Sequence, residues 1–388
     1  MLILTNLGYS GKIITQIRSR MDIVQNKIPK KIAIIHDAFI VKGGAERLAL
    51  HLSNLFPEAP IYTSVYQPKT TFSELKTKQI ITHPFSRWVK SEKLFKQLYP
   101  LWFLYYFNVK LTEYELILSS STYLAKYIQT PKNGQHICYM HSPFRFLWKR
   151  NSYTNNSLPF NSPIIQIIDR IIPSLQKIDF KLTQPIDQVI TNSQNMANFI
   201  QTVYHKNAVI IYPPVDIQQY NIQNPQNFYL CVGRLISYKN IDLAIQACNQ
   251  LKRKLVIIGD GFERNKLEAI AGNTITFLGK VDEETLKSMY ATCKALIFPG
   301  VEDFGMVPIE VQASGRPVIA YRSGGVLETV TENETGIFFD DQNIDSLIQA
   351  IISFENRRFD PSFIRNSVQR FDLSIFEESI KTSLQKYF

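Results

Sequence analysis

Two glutamates close off the nonapeptide EDFGMVPIE, Glu302 at its start and Glu310 at its end. Between them Pro308 suits the first turn of a helix, yet Gly305, Met306 and Val307 bring no Ser, Thr, Asp or Asn to cap it. The spacing predicts a helix that opens on unpartnered N–H groups at the positive end of its dipole. A phosphate would answer such a start, cradled by the run Phe304, Gly305, Met306 and Val307. Glu310, in the first turn, can accept hydrogen bonds from ribose hydroxyls, and Glu302, ahead of the loop, from hexose hydroxyls. The plainer alternative gives Glu310 only the dipole to complement and leaves Glu302 in solvent.

Residues of matching chemistry recur behind other apolar runs. CVGRLISYKN sets Arg234 and Lys239 in one loop, a planar fork and a point charge that can meet on a diphosphate. A solvated loop capped by Asn240 is the alternative there. VIIGDGFER puts Gly259 and Gly261 where side chains would bar a nucleotide, although a tight turn asks for glycine as well. SGGVLET adds Gly324 and Gly325 at a further strand–helix junction, with Glu328 after them. KGGAER carries Gly43 and Gly44; it lacks GxGxxG spacing, so it is no dinucleotide fingerprint, but it lets backbone approach a phosphate or sugar. CYMHSPFRFLW ends an apolar run on His141, and Ser142-Pro143 turns the chain so that the imidazole faces the same cleft. A structural histidine is the competing account.

Those loops need a scaffold. From Lys31 onward short β-rich runs alternate with amphipathic stretches. The first half holds IAIIHDAF, IYTSVY, LILSSS, HICYMHSP, QVITNS and AVIIYPP; the second holds FYLCVGRL, KLVIIGDG, ITFLGKV, ALIFPG, PVIAYRSG and GIFFDD. Such alternation predicts βαβ units and parallel sheets buried on both faces. The Pro-, Asn- and Gln-rich stretch 212–227 separates the two series and reads as a linker. The expected architecture is α/β: two Rossmann-like doubly wound domains, 31–215 and 216–372, facing across a cleft onto which the strand ends open. Residues 1–30 are expected to form a poorly ordered extension.

Composition narrows the partners. A net charge of +10 over 388 residues asks for something anionic: nucleic acid, a phosphate-bearing ligand or a membrane surface. Four dispersed cysteines without a CxxC pair argue against a zinc ribbon or a disulfide framework and fit a reducing compartment. No run reaches the roughly 18–20 apolar residues of a membrane span, and the N-terminus lacks the basic-then-apolar order of a signal peptide. A cytoplasmic protein is expected.

Val232–Asn240 (VGRLISYKN), GDGFER, the FLGKV loop and above all the E-x7-E of Glu302 and Glu310 around an internal FG resemble the retaining, GT-B-fold glycosyltransferases of family 4. The resemblance runs from about Lys31 to the C-terminus. CYMHSPFRFLW and TNSQNMANFI look like the members that build bacterial surface polysaccharides from GDP-mannose. It implies transfer of a hexose, mannose from GDP-mannose, to a glycan or lipid-linked glycan. Arg234 and Lys239 would neutralise the diphosphate leaving group, with Gly259 and Gly261 beside the donor. Glu310 would hold the ribose, Glu302 would position the hexose, and His141 would contact the sugar near its reacting carbon. Gly44 would let the acceptor-side loop close over the phosphates. No DxD pair stands in these motifs, so no metal is required and fixed cations carry the electrostatic work. Retention in this family is ascribed to front-face attack, without a covalent nucleophile. The helix 373–388 would cross back to the first domain on Ile375, Phe376, Ile380 and Leu384.

The rivals are a UDP-sugar-dependent enzyme of the same family, a nucleotide-sugar epimerase, which needs no acceptor, and a nucleic-acid-binding protein, for which only the charge speaks. RWVKSEKLFKQLYPLWFLYYF (87–107) interleaves Arg87, Lys90, Lys93 and Lys96 with Trp88, Phe95 and Trp102. It reads either as an anchor on anionic lipid at the inner face of the cell membrane or as a core helix pair kinked at Pro100.

Overall fold

A computed structural model describes residues 31–149, 163–385 and 387. The expected extension 1–30 lies outside the described residues. The first sheet contains β1 (Ile32–His36), β2 (Ile61–Thr63), β3 (Ile80–Thr82), β4 (Leu116–Ser121), β5 (Gln135–Met140), β6 (Gln188–Thr191) and β7 (Ala208–Ile210). Its order is β3-β2-β1-β4-β5-β6-β7, parallel throughout. The second holds β8 (Tyr229–Val232), β9 (Leu255–Ile258), β10 (Ile275–Gly279), β11 (Ala295–Phe298), β12 (Val318–Tyr321) and β13 (Gly336–Phe339), ordered β10-β9-β8-β11-β12-β13 and again parallel.

In both sheets the strand order reverses beside the first strand, between β1 and β4 and between β8 and β11. Those are the points where loops part and leave room for a ligand. The continuous apolar runs of the sequence follow from burial on both faces: every residue of β1, β4 and β11 is buried.

The chain crosses between the halves twice. Val215 N–H donates to the Phe371 carbonyl at 2.9 Å where the crossings meet. The helix Leu373–Gln385 then inserts Phe376, Ile380 and Leu384 into the first domain's core with Leu118, Ile137 and Ile190, while Ile375 stays 44% exposed. Phe304 is buried against both crossings, stacked on Tyr212 (ring centroids 5.6 Å apart) and edge-on to Phe371 (5.7 Å).

Segment 87–107 forms two helices, Glu92–Gln97 and Tyr99–Asn108, with Pro100 in the first turn of the second. Phe95, Trp102 and Tyr106 are core residues, while Trp88, Leu104 and Phe107 are exposed. A hollow of about 280 Å³ opens beside them, lined by His83, Leu101, Leu104, Tyr105, Asn108 and Val109. Among the described residues no helix is long and apolar enough to cross a membrane.

Candidate active site

The first domain's contribution stands at the ends of β1, β4 and β5, neighbours in the sheet. His36, the last residue of β1, brings Nδ1 within 3.1 Å of the Ser120 carbonyl and 3.2 Å of its hydroxyl. Ser120 Oγ lies 2.9 Å from His141 Nε2, and His141 follows directly on β5. Burial lowers the pKa of both imidazoles; His141, with His36 and Arg145 nearby, falls to about 3. Neither is charged at neutral pH. Next to His36, the buried Asp37 carboxylate accepts N–H groups from Thr122, Tyr123, Leu124 and Ala125 at 2.6–2.9 Å, which fixes the β4 loop.

The second domain's contribution rides on loops. Lys239 pairs directly with Glu302, bringing two predicted residues together across a separation that sequence spacing does not reveal. Burial, with Arg234 and Arg145 close by, pushes the Lys239 ammonium down to about 7. The helix Met306–Ala313 begins at Gly305, which sits at φ +88° and gives no side-chain cap, as the sequence predicts. The Phe298 ring links the two features: Lys239 Nζ stands 5.6 Å from its centroid, and a methyl built on Gly305 would lie 3.6 Å from its edge. Glu310 is partly buried and accepts from the Tyr290 hydroxyl at 2.9 Å.

Four predicted residues do something else besides. Side chains on Gly259 and Gly261 would run into the backbone of Gly233 and Leu235, so the close approach they permit is loop against loop. The side chain of Phe304 points to the interdomain crossings, which leaves only its backbone for an anion. Arg234 reaches over the cleft to Glu92 at 3.7 Å.

Contacts across the cleft add Asp303, Arg145, Lys149 and Ser193, to which the sequence reading gave no role, and give Glu328 and Gly44 partners it did not foresee. Asp303, inside the nonapeptide, pairs with Arg145 and, at 3.7 Å, with Lys149, and its carbonyl accepts from Ser193 Oγ at 2.9 Å. Glu328 accepts from the first N–H groups of the helix Gln194–Tyr204, Gln194 at 3.0 Å and Asn195 at 3.3 Å. Gly44 opens its helix opposite Met306, whose Cγ would lie 3.7 Å from an added methyl. Two residues on is Glu46, whose carboxyl burial raises to about 7, with Glu92 and Asp37 adding to it and Arg234 opposing.

The model of the family Glycosyltransferase Family 4 matches residues 42–219, and that of Glycosyl transferases group 1 matches 214–370. Between them they span the cleft and both its walls. The chain is a group 1, family 4 glycosyltransferase. This glycosyltransferase is 24% identical to an alpha-1,3/1,6-mannosyltransferase of Candida glabrata, over 91% of each chain. It is 31% identical to a GDP-mannose-dependent alpha-(1-6)-phosphatidylinositol monomannoside mannosyltransferase of Mycobacterium tuberculosis, over 31% of this chain and 36% of that one. Its fold is that of sucrose-phosphate synthase from Thermosynechococcus elongatus, with a TM-score of 0.72 at 19% identity, covering 92% of this chain and 99% of that one.

Behind the glycosyltransferase's cleft, a buried cluster stiffens the segment that carries Arg145. Asp179 receives Lys126 at 2.7 Å, Tyr127 at 2.5 Å, Tyr204 at 2.7 Å and the Trp148 indole at 2.6 Å. Every partner is satisfied, so the charge pair costs little and ties three elements to one carboxylate. Among the described residues no three His, Cys, Asp or Glu side chains converge as metal ligands.

Proposed function

We propose that this glycosyltransferase moves mannose from GDP-mannose, with retention, to a glycan or lipid-linked glycan. One observation carries the reading: Lys239 and the bare helix start at Gly305 share the Phe298 ring, opposite the wall that bears His141. A diphosphate there meets an ammonium, backbone N–H groups and, once Glu92 releases it, the Arg234 guanidinium. Those fixed positive charges take up the negative charge that develops on the leaving group, with no call for a metal. Glu310, steadied by Tyr290, holds the ribose; Glu302 and His141 hold the hexose from opposite walls. The two mannosyltransferase relatives support mannose, and the mycobacterial one supports GDP-mannose as donor.

A titration of the intact protein with GDP-, UDP- and ADP-sugars tests it. GDP-mannose should raise the melting temperature most; a larger shift with a UDP-sugar would overturn the assigned donor. Arg234→Ala and Lys239→Ala should each weaken nucleoside-diphosphate binding roughly 10- to 100-fold, the worth of a charge-assisted contact in a partly dry cleft. Unchanged affinity in both variants would overturn the phosphate site.

The same reading extends to the acceptor. Trp88, Leu104 and Phe107 lie exposed beside Arg87, Lys90 and Lys93, with the Arg87 guanidinium 4.1 Å over the Trp88 ring. We infer a cytoplasmic enzyme that rests this face on the anionic inner surface of the membrane, where a lipid-linked acceptor is displayed. Co-sedimentation with anionic but not neutral vesicles, lost in Trp88→Ser/Leu104→Ser, is the expected result.

A further inference from the structure

The His36–Ser120–His141 chain fixes more than the position of one imidazole. A carbonyl oxygen only accepts, so the 3.1 Å approach of His36 Nδ1 to the Ser120 carbonyl requires the proton on that nitrogen. The same N–H points at the Ser120 hydroxyl oxygen, 3.2 Å away. A second lone pair remains on Ser120 Oγ, but its single buried proton needs an acceptor, and among the described residues the one within reach that is not itself donating is His141 Nε2 at 2.9 Å. His141 Nε2 is therefore the acceptor, and its neutral ring carries the proton on Nδ1. Among the described residues nothing hydrogen-bonds that Nδ1, which leaves it for a ligand.

We propose that Ser120 and His36 are positioning residues that hold His141 as the Nδ1–H tautomer, so that it presents the sugar with a hydrogen-bond donor and not with a base. This rests on the reading that His141 faces the donor sugar. A ring in this state can donate to a sugar oxygen whose charge changes as the glycosidic bond breaks, but Nδ1 cannot take the proton of the acceptor hydroxyl. His141 is then excluded as general base in transfer. The opposite arrangement, with the His36 proton on Nε2, would turn the Nδ1 lone pair on the lone pairs of the Ser120 carbonyl.

The tautomer is read directly in the intact protein labelled with ¹⁵N-histidine, by two-bond proton–nitrogen correlation, with the His141 signals assigned by their loss in His141→Gln. The expected pattern is a protonated Nδ1 and a bare Nε2. A protonated His141 Nε2 in the wild type overturns the proposal while leaving the donor site intact. Ser120→Ala, small and apolar in a buried place, should release the ring to the other tautomer and lower kcat on the order of tenfold or more, with nucleoside-diphosphate affinity unchanged. His36→Asn, whose amide N–H₂ can stand where Nδ1–H stood, should keep the His141 pattern and most of kcat; His36→Gln, which mimics Nε2 instead, should lose both. Equal behaviour of the two His36 variants overturns the relay. Separately, unchanged transfer by His141→Ala would remove the sugar-facing role on which the proposal rests, whatever the spectrum shows.

Discussion

On the first domain's side of the cleft, His36, Ser120 and His141 stand at the ends of three neighbouring strands and hydrogen-bond one another. On the second domain's side, Lys239 and Arg234 ride on a loop and each meets a carboxylate, Glu302 or Glu92. That chain of the first wall is neutral, largely buried and set by the sheet itself, beside the charged Arg145, Lys149 and Glu92 that reach across the cleft. The second is charged, and its charges answer each other until a ligand replaces a partner. Hydrogen-bond direction on the first wall is thus set before a ligand arrives, whereas on the proposed reading the attraction for the leaving group is held in ion pairs that a diphosphate exchanges. Preorganisation on one wall and exchange on the other predict different failures.

The largest effect should come from the two glutamates of EDFGMVPIE. With Glu302 in its proposed place on the reacting sugar, Glu302→Ala should lower kcat about 10²-fold or more with nucleoside-diphosphate binding spared. Glu310→Ala, on the proposed ribose contact, should weaken donor and free nucleoside diphosphate alike, on the order of tenfold. The opposite split in paired titrations and steady-state rates would reverse the roles.

A middling effect should appear with pH. The Lys239 ammonium sits near 7 in the ligand-free cleft, and a diphosphate prefers it charged. Above pH 7 binding must therefore draw in a proton, and affinity should fall by up to about tenfold per pH unit. Lys239→Arg, which stays charged, should flatten that slope in calorimetric titrations. The His36–Ser120–His141 chain should contribute no slope there, because burial lowers both imidazoles, His141 to about 3; on the first domain it is Glu46, raised to about 7, that titrates in this range.

The smallest effect concerns Glu46. Its carboxyl keeps its proton to about pH 7 when folded and loses it near 4.5 when unfolded, so the unfolded state binds fewer protons in between. Stability should then fall as pH rises from 4.5 to 7 and level off above. Glu46→Gln should remove that fall and stabilise the protein above pH 7 on the order of 1–2 kcal/mol, measurable by denaturant melts at several pH values.

How much of this was legible depended on range. Twelve apolar runs announced twelve of the thirteen described strands: the central ones because burial on both faces writes hydrophobicity into the chain, the half-exposed edge strands β7 and β10 because they lie in the longer runs AVIIYPP and ITFLGKV. The missed one, β3, is three half-buried residues at the sheet edge, too short to stand out from Gln79 and His83 around it. The uncapped start at Gly305 was legible since a missing cap is a local fact. Arg145 opposite Asp303, Ser120 between two histidines, and Glu328 on the Gln194 helix were not: each joins positions far apart in sequence, and side-chain periodicity carries no information about what faces it from another strand or domain. Gly259 and Gly261 show the intermediate case. That they must be small was readable; that the neighbour is the 233–235 backbone was not.

The helix Leu373–Gln385 leaves the ribosome after both sheets have been made, yet Phe376, Ile380 and Leu384 complete the core around β1, β4 and β5, which are translated first. Until those residues emerge, the nascent first domain carries an open apolar groove lined by Leu118, Ile137 and Ile190. The second domain's strands, β8 to β13, are contiguous in the chain and face no such wait. Order of synthesis and order of completion are therefore inverted: the half that is made last can close first, and the half that is made first needs shelter until the closing helix is delivered.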